Sequence, residues 1–186
     1  MKIAVVGNSG RSGWLAQLAR RHHVGRHAGA LRDAEIVLMM VAAADGVEPA
    51  LQSVLAVNPH AALVLNTPVP VGFTDEMRGR YPAANLISLP DCPGQLVLGV
   101  PRDDLRAMTA AAVLVQIWQE CGLPGAAQPQ IMAPQAAETV AMFIQHYQDV
   151  RANFFRDLRA FAESQHLDHA AILAAVSTDP RIGAPV

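Results

Sequence analysis

The sequence predicts an α/β fold in which a mostly parallel sheet is covered by helices. Three features predict it. Short apolar runs alternate with longer helical patterns, the first run ends on a glycine-rich turn, and a long helical seam follows a Pro/Gly-rich break. At 186 residues, against about 150 per domain, the chain holds roughly one domain with a little over. Its 52% hydrophobic and 16% charged residues can build a sizeable core and exclude a disordered tail.

Taken in order, strands are expected at Lys2–Val6, Glu35–Val41, Ala61–Leu65, Asn85–Leu89 and Gln95–Val100, with a weaker one at Gln130–Met132. Helices are expected at Ser12–Arg21, Val47–Val57, Asp75–Arg80 and Asp103–Cys121. The stretch from Gly13 to Ala34 has room for one helix and a stub of strand at His23–Arg26, so the sheet looks abridged. Gly122–Pro134 reads as a linker around the short last strand. Beyond it, Val140, Phe143, Tyr147, Val150, Phe154, Leu158 and Phe161 recur every three or four residues, the spacing of one helix face. A helix over Gln135–Ser164 would be about 45 Å long. A second, His169–Val176, starts after an Asp168 cap. The expected division is a sheet domain over 1–133 and a helical region over 134–186.

Composition excludes several classes of function. Fourteen basic and sixteen acidic side chains give a net charge of −2, which lacks the basic footprint of a general nucleic-acid binder. The first residues, Met1 to Gly7, read as a strand and not a signal peptide. The longest apolar run, Ile36 to Ala44, falls well short of the ~18 residues of a membrane span. Two cysteines, Cys92 and Cys121, build no disulfide framework and fit a reducing compartment, so a cytoplasmic location is expected. The seven histidines have no metal-ligand spacing: His22, His23 and His27 form a basic patch, His166 and His169 flank a helix break, and His146 lies off the apolar seam. No metal site is expected.

The chemistry-bearing motif is Gly7-Asn8-Ser9-Gly10-Arg11-Ser12-Gly13, between the first strand and the first helix. In that setting glycines let the backbone turn tightly and approach a pyrophosphate seated on the helix N-terminus. The spacing G-x-x-G-x-x-G is one residue longer than the usual dinucleotide fingerprint, and the same residues also suit a plain strand-to-helix turn. About 20 positions on, where that fingerprint has an acidic residue for the ribose, this chain reads Arg20-Arg21-His22-His23-Val24-Gly25-Arg26-His27. Arginine there, Arg26 in particular, suits a 2′-phosphate, so NADP is expected over NAD if a dinucleotide binds. A solvated basic helix end is the alternative.

Downstream segments carry a family resemblance. Asn66-Thr67-Pro68-Val69-Pro70-Val71-Gly72-Phe73-Thr74 resembles the K-S-T-V-P-V-G-F-T stretch of UDP-glucose 6-dehydrogenases and related nucleotide-sugar dehydrogenases. Leu89-Pro90-Asp91 resembles their S-P-E, and Leu96-Val97-Leu98-Gly99 their I-V-I-G. Ala137 through Gly183, ending Asp179-Pro180-Arg181-Ile182-Gly183, is similar to their long central helix and D-P-R-I-G segment. The resemblance implies a Rossmann-like sheet, an NAD-dependent oxidation of the sugar C6 hydroxyl, and a central helix at a two-fold dimer interface.

The departures from that pattern change the expectation. The family's catalytic Cys motif would come after D-P-R-I-G, and the sequence stops three residues beyond it. The family's Thr falls on Pro68, its Lys on Ala141, its Asn on Gln145, and the Glu of S-P-E on Asp91. Oxidising an alcohol twice needs a nucleophile, a base and oxyanion stabilisation together. Asp91 and Cys92 are the candidate catalytic groups that remain. A carboxylate beside a thiol raises its pKa, so Cys92 is expected as a structural residue of an exposed turn, and Cys121 as buried packing.

The expectation is therefore an abridged Rossmann-like parallel sheet followed by a long central helix and a short one. The chain is expected to be a truncated, catalytically inactive relative that acts as a dimeric nucleotide-binding or regulatory partner, with a dinucleotide or sugar nucleotide as ligand. An NAD(P)-dependent oxidoreductase acting on a smaller substrate is the alternative.

Overall fold

The computed structural model describes residues 1–7 and 13–184. They form two compact units, Met1–Met142 and Phe143–Val186. The boundary between them falls within the long helix.

The first unit is built on a seven-stranded sheet: β1 (Lys2–Val6), β2 (His23–Gly25), β3 (Ile36–Met39), β4 (Ala62–Leu65), β5 (Asn85–Ser88), β6 (Val97–Gly99) and β7 (Gln130–Met132), in the order β2-β1-β3-β4-β5-β6-β7. Every neighbouring pair is parallel except β5–β6, which is antiparallel with Ser88 opposite Gly99. The central strands β3, β4 and β5 are buried on both faces, which is why β3 and β4 read as unbroken apolar runs.

Five helices belong with this sheet: α1 (Trp14–Arg21), α2 (Ala28–Arg32), α3 (Val47–Val57), α4 (Phe73–Arg80) and α5 (Leu105–Glu120). Two cores result, one on each face. Leu15, Leu18, Ala107, Ala111, Leu114 and Trp118 of α1 and α5 cover Ile3, Ile36, Ala62 and Ile87. Val47, Leu51, Val54 and Met77 of α3 and α4 cover Val37, Leu63 and Leu86. The topology is Rossmann-like and abridged: order 2-1-3-4-5 equals the usual 3-2-1-4-5-6 without the strand outside β2. The five-residue α2, absent from the sequence reading, lies between β2 and β3; the His27 ring accepts from the Ala30 amide at 3.2 Å to cap it.

The last helix-bearing segment starts with α6 (Pro134–Ser164), 31 residues long. Its first turns pack within the sheet unit, where a Cβ on Gly99 would stand 2.7 Å from the Cα of Pro134 and 3.1 Å from the Cβ of Ala137.

In the second unit α6 ends on His166, which takes a left-handed φ of 54°, with the Leu167 amide donating back to the Ala162 carbonyl at 2.9 Å. Asp168 then caps α7 (His169–Ser177) by accepting from the Ala170 and Ala171 amides. Arg151 donates to the Ala184 carbonyl and lies over the Phe155 ring, tying the Asp179–Gly183 segment to α6.

Candidate functional site

Ligands of open α/β sheets bind outside the carboxyl ends of the strands, where the strand order reverses. Here that point lies between β1 and β3, because β2 flanks β1 on one side and β3 on the other. The residues leaving β1, β3 and β4 build its walls.

Gly7 leaves β1 with φ +91°, and a Cβ on it would stand 2.4 Å from the Met40 carbonyl oxygen. Only glycine permits that approach of the β1 exit to the β3 exit. Thr67 holds the other wall: its hydroxyl donates to the Met39 carbonyl at 3.1 Å and accepts from the Val41 amide at 3.2 Å. The Asn66 carboxamide donates to the Leu89 carbonyl at 2.8 Å, which fixes the β4 and β5 exits to each other.

Asn8, Ser9, Gly10, Arg11 and Ser12 lie outside the described residues. Gly13, which ends that loop, opens α1. Among the described residues no side chain caps α1, its first turn holds no acid, and a Cβ on Gly13 would meet nothing within 4 Å. An acid-free helix N-terminus suits a phosphate chemically, because its first amides have no intrahelical acceptors and the dipole favours an anion. Gly7, Gly13 and the α1 N-terminus would hold the pyrophosphate of a dinucleotide.

The basic residues separate by edge. Arg26 directly follows Gly25, which pairs with Ala4 of β1, and so lies at the carboxyl edge with the crevice. Arg20 and Arg21 end α1, just ahead of β2, and so lie at the opposite edge. Of these three arginines, Arg26 alone lies at the carboxyl edge.

Asp91 and Cys92 follow β5 on the crevice edge, but they differ in environment. Asp91 is exposed, whereas Cys92 is 5% exposed. Within Pro90-Asp91-Cys92-Pro93-Gly94, Asp91, Pro93 and Gly94 are exposed as expected and Cys92 alone is buried: Trp14 and Trp118, with rings 4.9 Å apart, line the same small cavity of about 80 Å³ as Cys92. Burial, with the Asp91 charge second, pushes the Cys92 thiol up, away from the thiolate a nucleophile needs. Cys121 is half-buried against the α1/α5 core, and burial raises its thiol as well.

Glu138 was missed by sequence reasoning. It is 2% exposed on α6, and its carboxylate accepts from the Gly72 amide at 2.6 Å, the Thr74 amide at 2.9 Å and the Thr74 hydroxyl at 2.6 Å. It caps the N-terminus of α4 from a distant element and fixes the Pro68–Gly72 segment beneath the crevice wall. No sequence signal marks it, because a lone Glu near a helix start reads as a solvated acid.

No family model matches the chain. Its sequence is similar to UDP-glucose 6-dehydrogenases. It is 23% identical over 149 residues to that of Streptococcus pneumoniae, covering 74% of this chain and 38% of that one. Against that of Campylobacter jejuni it is 23% identical over 155 residues, covering 74% and 36%. The chain thus spans little more than a third of these relatives.

Solved structures agree on the fold. A UDP-glucose dehydrogenase from Pyrobaculum islandicum superposes with TM-score 0.66 at 22% identity, over 91% of this chain and 45% of that one. The Mycobacterium tuberculosis 3-hydroxyisobutyrate dehydrogenase, solved with L-serine, gives 0.69 at 15%, over 96% and 70%. A Myxococcus stipitatus imine reductase variant in complex with NAD+ gives 0.70 at 10%, over 95% and 71%.

Against the UDP-glucose 6-dehydrogenase pattern, the positions carrying a hydroxyl, an ammonium and an amide hold Pro68, Ala141 and Gln145. Gln145 donates to Asp149 at 2.9 Å on the exposed surface of α6. Among the described residues no group of three His, Cys, Asp or Glu could hold a metal ion, and no helix is long and apolar enough to cross a membrane.

Proposed function

We propose that this chain is a dinucleotide-binding, catalytically inactive homologue of nucleotide-sugar dehydrogenases that works as a dimeric nucleotide-binding or regulatory partner. The acid-free N-terminus of α1, with no side-chain cap among the described residues, and the close approach of Gly7 to the Met40 carbonyl support the binding half of this reading. Arg26 at the same edge favours NADP over NAD, since a guanidinium pairs a 2′-phosphate where a carboxylate would pair the 2′-hydroxyl.

Pro68 and Ala141 carry the inactive half, because they supply neither the hydroxyl nor the ammonium the family has there, and the Gln145 carboxamide donates to Asp149 instead. Cys92 does not replace the lost nucleophile, being buried with a raised thiol pKa. Within the bound pair, the dinucleotide would supply the redox chemistry, and this chain's residues supply only the cradle.

The dimer rests on α6. Phe143, Tyr147, Val150, Phe154 and Phe161 are 59%, 58%, 51%, 44% and 62% exposed, a continuous apolar stripe that one chain leaves in water. A second copy packing the same stripe gives a closed isologous pair.

A second reading is favoured by one observation: Asp91 is exposed at the crevice edge beside the cavity of about 80 Å³. There it could serve an NAD(P)-dependent reaction on a small substrate. A thermal-shift panel with NAD, NADP and UDP-glucose, followed by an assay for reduced cofactor, separates the readings. Stabilisation by NADP, about 2.7 kcal/mol at 100 times Kd, without turnover of UDP-glucose supports the proposal. Steady turnover of UDP-glucose that Cys92→Ala abolishes overturns it.

A further inference from the structure

The second unit holds a cavity of about 260 Å³ between α6 and α7 that neither the dinucleotide reading nor the dimer reading uses. It is lined by Phe155, Arg156 and Arg159 of α6 and by His169 and Leu173 of α7. The spacing brings them together: Phe155 and Arg159 stand one turn apart on α6, as do His169 and Leu173 on α7, so each pair shares a face. Phe155, His169 and Leu173 are half-buried, whereas Arg156 and Arg159 are exposed. The cavity thus has an apolar floor, a histidine in its wall and two guanidinium groups at its rim.

Among the described residues no carboxylate lines it, and the acids of this unit do little to neutralise it. Asp168 accepts from the Ala170 and Ala171 amides, and Asp179 from Arg181. Asp157 meets Arg156 only at 3.9 Å, with side chains 72% and 77% exposed, a pair that water largely screens. Glu163, one turn beyond Arg159, is exposed and forms no ion pair with it among the described residues. The Arg151 guanidinium, 5.9 Å from the centre of the Phe155 ring, adds a further positive charge beside the floor.

Arginine stems laid down on Phe155 and Leu173 would fill this space; it stays open instead. Cations beside a concave apolar wall attract an anion more strongly than the same cations on a flat wet surface. A guanidinium presents a planar fork of donors that matches two oxygens of a carboxylate or a phosphate. The volume, just under the ~300 Å³ at the lower end of ligand pockets, suits one ring system and not a whole nucleotide. The cavity also stands apart from the apolar stripe. At about 100° per residue, Phe155, Arg159 and Arg156 lie about 100°, 140° and 160° round the helix from Phe154, so a second copy on the stripe leaves it open.

We propose that this cavity binds a small oxyanion carried on one aromatic ring system. The ring rests on Phe155 and Leu173, the oxyanion is held by Arg159 and Arg156, and a ring N–H of His169 adds a further donor.

The test uses the full chain and three probes built on one ring system: 2-naphthoate, 2-naphthyl phosphate and the neutral 2-naphthamide. Amide chemical shifts locate binding and calorimetry measures it. Both anions are expected to shift the amides of Phe155, Arg159, His169 and Leu173, and the tighter of the two decides between a carboxylate and a phosphate head. That anion should bind about tenfold tighter than the amide, an advantage that shrinks with added salt. Arg159→Gln should erase most of the advantage, and Leu173→Phe should fill the cavity and weaken all three probes. Naphthamide binding as tightly as the anions overturns the proposal, as does an unchanged advantage in Arg159→Gln or unchanged binding in Leu173→Phe. Shifts confined to the stripe around Phe143 and Phe161, or to the dinucleotide crevice, overturn it too. If Leu173→Phe does not fold, the probe comparison and Arg159→Gln still decide.

Discussion

The sheet unit and the helical unit treat their apolar side chains in opposite ways. In the first, Leu38, Met39, Leu63, Leu65, Leu86 and Ile87 are at most 1% exposed, and two cores close the sheet on both faces. In the second, Ala162 is the one buried apolar residue among those described, while Phe143, Tyr147, Val150, Phe154, Phe161 and Leu167 stand in water. A domain that satisfies itself can present a binding edge. A pair of helices with its aromatic residues outside is built for something else to cover it. On the proposed reading, the first unit binds the ligand and the second associates.

The largest effects should fall in the sheet. Leu86→Ala removes a side chain with no exposure and should cost about 2–5 kcal/mol, read as a lower urea midpoint. Glu138→Ala comes next. It leaves the Gly72 amide and the Thr74 amide and hydroxyl without their acceptor, a loss of about 3 kcal/mol, with Glu138→Gln recovering part of it.

The helical unit should respond differently. Phe154→Asp should weaken self-association by about 2 kcal/mol, some thirtyfold in sedimentation equilibrium, and leave the unfolding midpoint of the sheet unit in place. Loss of the sheet together with the dimer would break the contrast between the units.

The smallest effect is one of pH. Hydrogen bonds from Tyr81 and then Arg80 hold the Glu48 carboxyl below its ordinary 4.5. That contribution is complete above the ordinary value and is lost as the pH falls through the lowered one. Urea midpoints measured down the acid limb should therefore fall less in Glu48→Gln than in the unaltered chain. Equal slopes would remove this network from the account.

Much of the fold was legible because parallel strands buried on both faces leave apolar runs, and the α6 seam leaves a three-and-four spacing. The α2 helix was not legible, since five residues cannot complete a periodic pattern and its cap is a histidine ring, not a usual cap residue. The β1 exit was legible through Gly7, where a Cβ would stand 2.4 Å from the Met40 carbonyl oxygen. Two other features depend on contacts distant in sequence. Glu138 meets Thr74 across 64 positions, and Cys92 shares its cavity with Trp14 and Trp118. Local pattern carries neither of these, and the largely exposed Pro90–Gly94 turn gives no sign that its Cys92 is buried beside distant aromatic rings.

The central claim is that the carboxyl edge of the sheet binds a dinucleotide with Arg26 selecting its ribose. Calorimetric titration of the full chain with NADP and with NAD tests it most directly, alongside Arg26→Ala. The account predicts saturable binding of both, tighter for NADP, with the preference lost in Arg26→Ala while NAD binding is kept. Absence of heat with either dinucleotide would contradict it, as would NAD binding at least as tightly as NADP with no change in Arg26→Ala.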